Sequence, residues 1–301
     1  MLRKDIPNEE LTSLWDSEVP TRITSIILSS MRVGHAEFEQ GMSFPRVGAC
    51  SKPLNQGLMA SRNSVGSTYA GNAEHKGMEE ISPEGWDDYT KSVAIKRLKC
   101  IDGWAYAACM FRKVYKRVAV DEWVPVMNGF PTLTREQIRK GFYGFEDIHG
   151  LDESNMYAVG GHGDVWRYDG SLWRQCDFPS NEQLGTVTVA PDGKVYITGE
   201  GGSLWVGEKD TWERVGGLGS SVLCKDSVWF DDMLWISSGY QLRVWDGQQL
   251  RRPRHNGMDI THAGSLSAHD GLLVAATLHE VHAYDGKDWH CLVKPYHGEE
   301  S

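Results

Sequence analysis

The sequence predicts an all-β fold, a β-propeller of four-stranded antiparallel blades, seven in number with six as the alternative. Three observations predict it: a repeat of about 39 residues, Asp-Gly-type turns at two fixed points of each repeat, and a composition holding 12 Trp, 11 Tyr and 33 Gly. Aromatic residues suit pleated, half-buried surfaces, and glycines serve tight turns. A lone four-stranded sheet of this size cannot bury both faces. Such units persist by stacking face to face around an axis, which also protects their edges.

The repeat is clearest in the second half. The segments Val165–Trp173, Leu204–Trp212, Leu242–Leu250 and Val281–Trp289 align without gaps, their starts 39, 38 and 39 residues apart. A second marker keeps the same interval: Asp192-Gly193, Asp231-Asp232 and Asp270-Gly271 are 39 apart, with Asp152 a further 40 upstream. Apolar runs follow these turns, beginning at Tyr157, Tyr196, Trp235 and Val274. Each unit therefore reads as an inner strand, an Asp-Gly hairpin, a second strand, a Gly-rich turn, a third strand, a second Asp-Gly-type hairpin and a short outer strand. Loops this short join only antiparallel neighbours. The Asp-Gly pairs are expected to supply the positive φ of type I′ hairpins, and the repeated Trp residues are assigned to the layers between blades.

Upstream the pattern loosens. Asp102-Gly103 precedes Tyr106-Ala-Ala, and Trp123 stands where the later Trp markers stand, but the step from Trp123 to Trp173 is 50. The surplus is assigned to an insertion between blades at 128–141, where Thr134 to Gly141 predicts a short helix capped by Thr and closed by Gly. A degenerate unit is expected over 57–95, with Ser67–Gly71 as its second strand and Trp86 as its marker. Residues 22–56, with the run Ile23–Leu28, leave room for one poorly matching blade. The whole chain, 1–301, is read as one propeller domain with a short N-terminal extension over 1–20.

The chain resembles the broad bacterial group of β-propellers of the WD40, YVTN and BNR-like kind over roughly residues 96–293. The resemblance rests on Val195-Tyr-Ile-Thr-Gly199, the Asp-Gly hairpins, and the Asp-Gly-x-x-Trp runs ending at Trp173 and Trp289. It departs from true WD40 repeats, which carry a Gly-His to Trp-Asp signature. It also departs from the sialidase Asp-box, because Asp169 and Gly170 are adjacent. What the resemblance implies is a cytosolic propeller that binds another protein, most sharply an immunity protein that plugs a secreted polymorphic toxin. A hydrolase or lyase acting on a sugar or peptide, and a structural scaffold subunit, are the competing classes.

Bulk properties narrow the partner. A net charge of −10 argues against nucleic acid, since phosphate backbones recruit basic surfaces, and suits a basic protein such as a nuclease-like toxin domain. The basic run from Lys91 to Arg117 and the group Arg251, Arg252 and Arg254 read as solvated strand faces and turns. Residues 1–20 are acidic and lack an apolar export segment, and Ile23–Met31 is too short to span a bilayer, so a cytoplasmic location without membrane contact is expected. Six dispersed cysteines without a CxxC pair read as buried thiols.

Recognition is expected at one rim, where the loops between second and third strands present His162 and Asp164, Glu200, Tyr240 and Gln241, and His279 and Glu280. These residues form no doubled acid or base. His162, His279 and Glu280 have the donor chemistry of a zinc site but come from different blades, and neither metal nor cofactor is expected. The histidines of the C-terminal region, His255, His262, His269, His279, His282, His290 and His297, read mostly as exposed strand and turn residues, with His279 and His282 on opposite faces. The Gly-Gly pairs lack a following Lys-Ser/Thr and a helix, so they are turns and not phosphate loops, and no nucleophile elbow is found.

Overall fold

The computed structural model describes residues 21–27, 32–38, 45–61, 64–69, 77–81, 94–140, 143–217, 223–277 and 279–294. The N-terminal extension, Trp86 and Gly141 lie outside them. The chain divides into two compact units at Val126/Met127.

The first unit holds the hairpin β1 (Thr21–Ile27) and β2 (Arg32–Phe38), and two four-stranded sheets. One sheet is β3 (Arg46–Cys50), β4 (Gln56–Ser61), β5 (Ser64–Tyr69) and β6 (Gly77–Glu80); the other is β7 (Ile95–Ile101), β8 (Trp104–Cys109), β9 (Lys113–Ala119) and β10 (Glu122–Pro125). The second unit holds four: β11 (Asp147–Gly150) to β14 (Trp173–Gln175) through β12 (Met156–Gly160) and β13 (Asp164–Tyr168); β15 (Leu184–Val189), β16 (Val195–Gly199), β17 (Ser203–Glu208) and β18 (Thr211–Gly217); β19 (Asp226–Phe230), β20 (Met233–Ser237), β21 (Leu242–Trp245) and β22 (Leu250–Arg251); and β25 (Ser265–His269), β26 (Leu272–Ala276), β27 (Val281–Tyr284) and β28 (Trp289–Val293). A small hairpin, β23 (Arg254–His255) and β24 (Met258–Asp259), precedes the last sheet. Every four-stranded sheet is an antiparallel meander in chain order. Register recurs with the repeat: Ala158 faces Trp166, Ile197 faces Trp205, Ile236 faces Arg243 and Ala275 faces His282.

Six four-stranded sheets thus appear among the described residues, and the expected seventh is not among them. The segment 22–56 yields the two-stranded hairpin and β3. The unit expected over 57–95 begins earlier, at Arg46, and Ser67 lies on the third strand and not the second. The β3–β4 connection, Ser51–Asn55, has no Asp-Gly pair, so the marker that locates the first hairpin elsewhere is missing there.

The middle strand β16 is buried at every position because neighbouring sheets cover both faces. In β16, Val195 and Ile197 pack with Tyr157, Val159 and Val165 of the preceding sheet. The intervening Tyr196 packs with Leu234 and Ile236 of the following one. The two-residue pleat of a strand thus feeds two cores. The next layer joins Trp235 and Val244 to Leu273 and Ala275. Of the repeated Trp markers, Trp123 and Trp173 are buried, while Trp212 and Trp289 are half-buried and pack against the layers between sheets.

First strands carry the hydrogen bonds between sheets of the second unit. Buried Asp147 accepts from Val187 N–H (3.0 Å), and buried Asp226, 79 residues on in the chain and two sheets away, accepts from Leu266 N–H (3.1 Å). Between them, Thr186, Thr188 and Ser227 join hydroxyl to hydroxyl at 2.7–2.8 Å.

Asp-Gly pairs serve two different turn chemistries. At Asp102-Gly103 and Asp270-Gly271 both central residues have positive φ, as type I′ requires, and Asp231-Asp232 manages the same without glycine. At Asp192-Gly193 only Gly193 is positive: Pro191 fixes a negative φ ahead of it, and Gly193 N–H closes on Ala190 C=O at 2.9 Å. At Asp169, Asp246 and Asp285 the side chain reinforces a long backbone bond of 3.3–3.4 Å from the Asp N–H to the carbonyl three residues on. One carboxylate oxygen accepts two following backbone N–H groups, and the other meets a basic residue five positions on, Arg174, Arg251 or His290. This holds the Asp285 carboxyl at a pKa of about 2, chiefly through the Asp288 and Lys287 N–H groups.

The expected insertion contains a helix, Arg135–Lys140. Thr134 Oγ1 accepts from Gln137 N–H while Gln137 Oε1 accepts from Thr134 N–H, the reciprocal capping predicted from Thr at its start. Of the six cysteines, Cys50, Cys109, Cys176 and Cys224 are buried, but Cys100 and Cys291 are exposed, which corrects the expectation that all six are interior.

Candidate functional site

Second-to-third-strand turns of the second unit form the candidate recognition lip. Counting back two residues from each third strand gives His162, Gly201, Tyr240 and His279, all exposed. Glu200, expected at the matching position, sits one residue earlier and is also exposed. Gln241 and Glu280 match each other, directly before β21 and β27.

Backbone geometry at these turns is fixed in two ways. In the first two sheets, glycines allow close approach: a Cβ on Gly163, whose φ is +68°, would lie 1.9 Å from the Ser180 carbonyl. The connection 176–183 docks there, taking Gly163 N–H on the Glu182 carbonyl (2.8 Å) and Glu200 N–H on the Gln183 carbonyl (2.7 Å). His162 Nδ1 lies 3.2 Å from the Asn181 carbonyl. A carbonyl only accepts, so Nδ1 is the donor in this contact.

In the last two sheets a hydroxyl replaces the glycines. Ser238 Oγ accepts from Tyr240 and Gln241 N–H (3.2 and 3.1 Å), and Thr277 Oγ1 does the same for His279 and Glu280 (3.2 and 3.1 Å). These side chains leave the tip residues outward, Tyr240 with 80% of its surface exposed. Asp164 differs from the rest. It is buried, accepts from Trp166 Nε1–H (2.8 Å), and anchors the start of β13 without facing solvent.

The metal-type donors gather differently from the expectation. Glu280 does not join His162 and His279 but faces His282 on its own sheet, with Oε2 3.2 Å from Nε2. His262, from the segment before β25, stacks on His282 with centroids 3.6 Å apart and planes 17° apart, and its other neighbour is Trp289 at 4.9 Å. Ligand atoms of His262, Glu280 and His282 all lie within 4.8 Å of one another. Burial, and next the charge of His282, holds the His262 imidazole below its ordinary pKa. No pattern in the sequence announced this group: Glu280 and His282 are two apart on one strand face, but His262 reaches them only through the fold.

Antiparallel four-stranded sheets stacked through their first strands define a propeller-type scaffold, with unlike residues on like turns. Solved structures agree in fold: a virginiamycin B lyase from Staphylococcus aureus gives a TM-score of 0.62 at 9% identity, covering 91% of this chain and 88% of that one. The WD40 β-propeller domain of Doa1 gives 0.59 at 10% identity, covering 86% and 83%. No family model matches the sequence. The immune protein Tsi7 of Pseudomonas aeruginosa is 31% identical over 248 residues, 79% of this chain and 76% of that protein, and the chain belongs to its family. Among the described residues no helix is long and apolar enough to cross a membrane.

Proposed function

We propose that the chain is an immunity protein that neutralises a bacterial toxin by binding it, in the cytoplasm and without catalysing a reaction. The observation that carries this is its 31% identity, over most of both chains, to a protein named as an immune protein. The lip of His162, Glu200, Tyr240, Gln241, His279 and Glu280 is the surface we assign to the toxin, because a rigid scaffold displays unlike side chains there. Tyr240 is its anchor: a large ring with a polar tip, exposed in the free protein, is the residue type that dominates binding energy when an interface buries it. The net charge of −10 favours a basic face on the toxin.

The test is co-expression with the product of each neighbouring gene, followed by gel filtration and titration. A stable complex and protection of growth are expected. Tyr240→Ala should weaken binding by about 2 kcal/mol or more, as for an interface anchor, and added salt should slow association. Absence of any complex at micromolar concentrations would remove the reading.

A further inference from the structure

We propose that His262, Glu280 and His282 form a binding site for one divalent transition-metal ion of the zinc type. Two imidazoles and a carboxylate are the donors such ions take, and three protein ligands leave a fourth position for water or for a side chain of a partner. The site shares Glu280 with the lip assigned to the toxin, but metal binding is tested on the chain alone, so failure of either reading is distinguishable from failure of the other.

The backbone around the three donors is fixed before any ion arrives. Gly264, two residues after His262, has φ +97°, and a Cβ there would lie 2.1 Å from the Ala276 carbonyl. Its N–H donates to the Ser238 carbonyl (3.0 Å) and its carbonyl accepts from Ser237 Oγ. The His262 segment is thereby pressed against the end of β26, beside the turn that carries Glu280. That turn is closed by Thr277 N–H on the Glu280 carbonyl (2.9 Å) and by the Thr277 hydroxyl. His282 follows on β27, its register set by pairing with Ala275 and Cys291.

One atom in this group lacks what buried polar atoms ordinarily have. His282 Nε2 is shielded from water and, although 3.2 Å from Glu280 Oε2, its angles make no hydrogen bond. Buried polar atoms without a partner are rare and costly, and a metal ion would satisfy this one. Glu280 keeps about a third of its side chain exposed, which supplies an entry path. Binding requires the two rings to splay from their stack, because an ion lies in the plane of each imidazole it joins. His262 is itself partly exposed, which leaves its ring room to turn on that fixed backbone.

The experiment uses the full chain, stripped with a chelator and titrated with ZnCl2 by calorimetry and with CoCl2 by visible absorption. One equivalent bound, with the absorption of tetrahedral or five-coordinate cobalt, is expected. Loss of a group that merely orients a ligand weakens metal binding about 10–100-fold, so His262→Ala, His282→Ala and Glu280→Gln should each weaken it by more than about tenfold. His269→Ala, on an exposed residue outside the group, should leave it unchanged. Should His282→Ala fail to fold, Glu280→Gln, on a partly exposed turn, decides. No binding by the unaltered chain, or equal binding by folded Glu280→Gln, overturns the site.

Discussion

Replacing Arg117 with Met is the most demanding test of how the first unit is held together. Arg117 on β9 and Glu79 on β6 have no exposed side-chain surface, and their guanidinium and carboxylate meet in a fork at 2.6–2.8 Å. The remaining Arg117 nitrogen donates to Gln56 Oε1 (2.7 Å) and lies 3.7 Å from Cys50 Sγ, and Trp123 Nε1–H donates to Glu79 Oε2 (2.8 Å). Burial alone would lower the Arg117 pKa, but the hydrogen bond and charge of Glu79 outweigh it and leave the group more basic than usual. Met fits the volume but leaves the Glu79 carboxylate buried with a single indole N–H. Breaking one side of such a pair costs about 3–5 kcal/mol, whereas replacing both members by apolar groups is often close to neutral. Urea unfolding of Arg117→Met, Glu79→Leu and the double variant, followed by circular dichroism, measures the cycle. Each single variant should lose about 3–5 kcal/mol and the double variant should regain most of one loss. A loss under about 1 kcal/mol for Arg117→Met, within the range of exposed pairs, would refute the reasoning.

Gly129→Ala and Gly247→Ala both place a side chain at positive φ, but a Cβ on Gly129 would lie 2.3 Å from the Trp173 carbonyl whereas Gly247 meets nothing within 4 Å. Gly247→Ala should cost about 1–2 kcal/mol, with Gly129→Ala markedly worse, read as melting temperatures. Asp285 is held well below the ordinary carboxylate pKa, so its stabilisation is complete above the unfolded value near 4 and is lost as pH falls toward 2. Asp285→Asn should therefore flatten that part of the acid-unfolding curve, while an unchanged curve would contradict the assignment. Native protein treated with a disulfide reagent should release one fast equivalent, from exposed Cys291, with Cys100 slower because burial of its thiol raises its pKa, and the buried thiols, Cys224 raised to about 11 among them, slower still. Asp226→Ala removes the acceptor for Leu266 N–H, and a loss of about 1–3 kcal/mol is expected in urea unfolding.

The second unit was legible in the sequence because its turns repeat. Asp and Gly at fixed intervals mark where the chain must reverse, and the apolar runs between them can only be strands. The first unit hid its opening sheet, since Ser51–Asn55 lacks that marker and a strand counted from Trp86 falls one place off. Turn chemistry was only half visible: Asp169-Gly170 and Asp270-Gly271 look alike in sequence, yet the first is reinforced by a side-chain oxygen and the second is shaped by two left-handed residues. The lip positions could be counted, but the burial of Asp164 depends on the indole of Trp166 folding back over it. Glu79 with Arg117, and His262 with Glu280 and His282, are tertiary meetings. Nothing local marks them, because separations of 38 and 20 residues belong to no secondary-structure period.

Ser238 and Thr277 close their turns using only atoms within four consecutive residues. A loop that carries its own clasp can exchange its tip without asking the sheets beneath to readjust. Residues 239–240 and 279 are therefore the places where a lineage, or an engineer, could change the exposed side chains while the layers between the sheets below keep their sequence. Diversification should concentrate there and stop abruptly at the clasping hydroxyl.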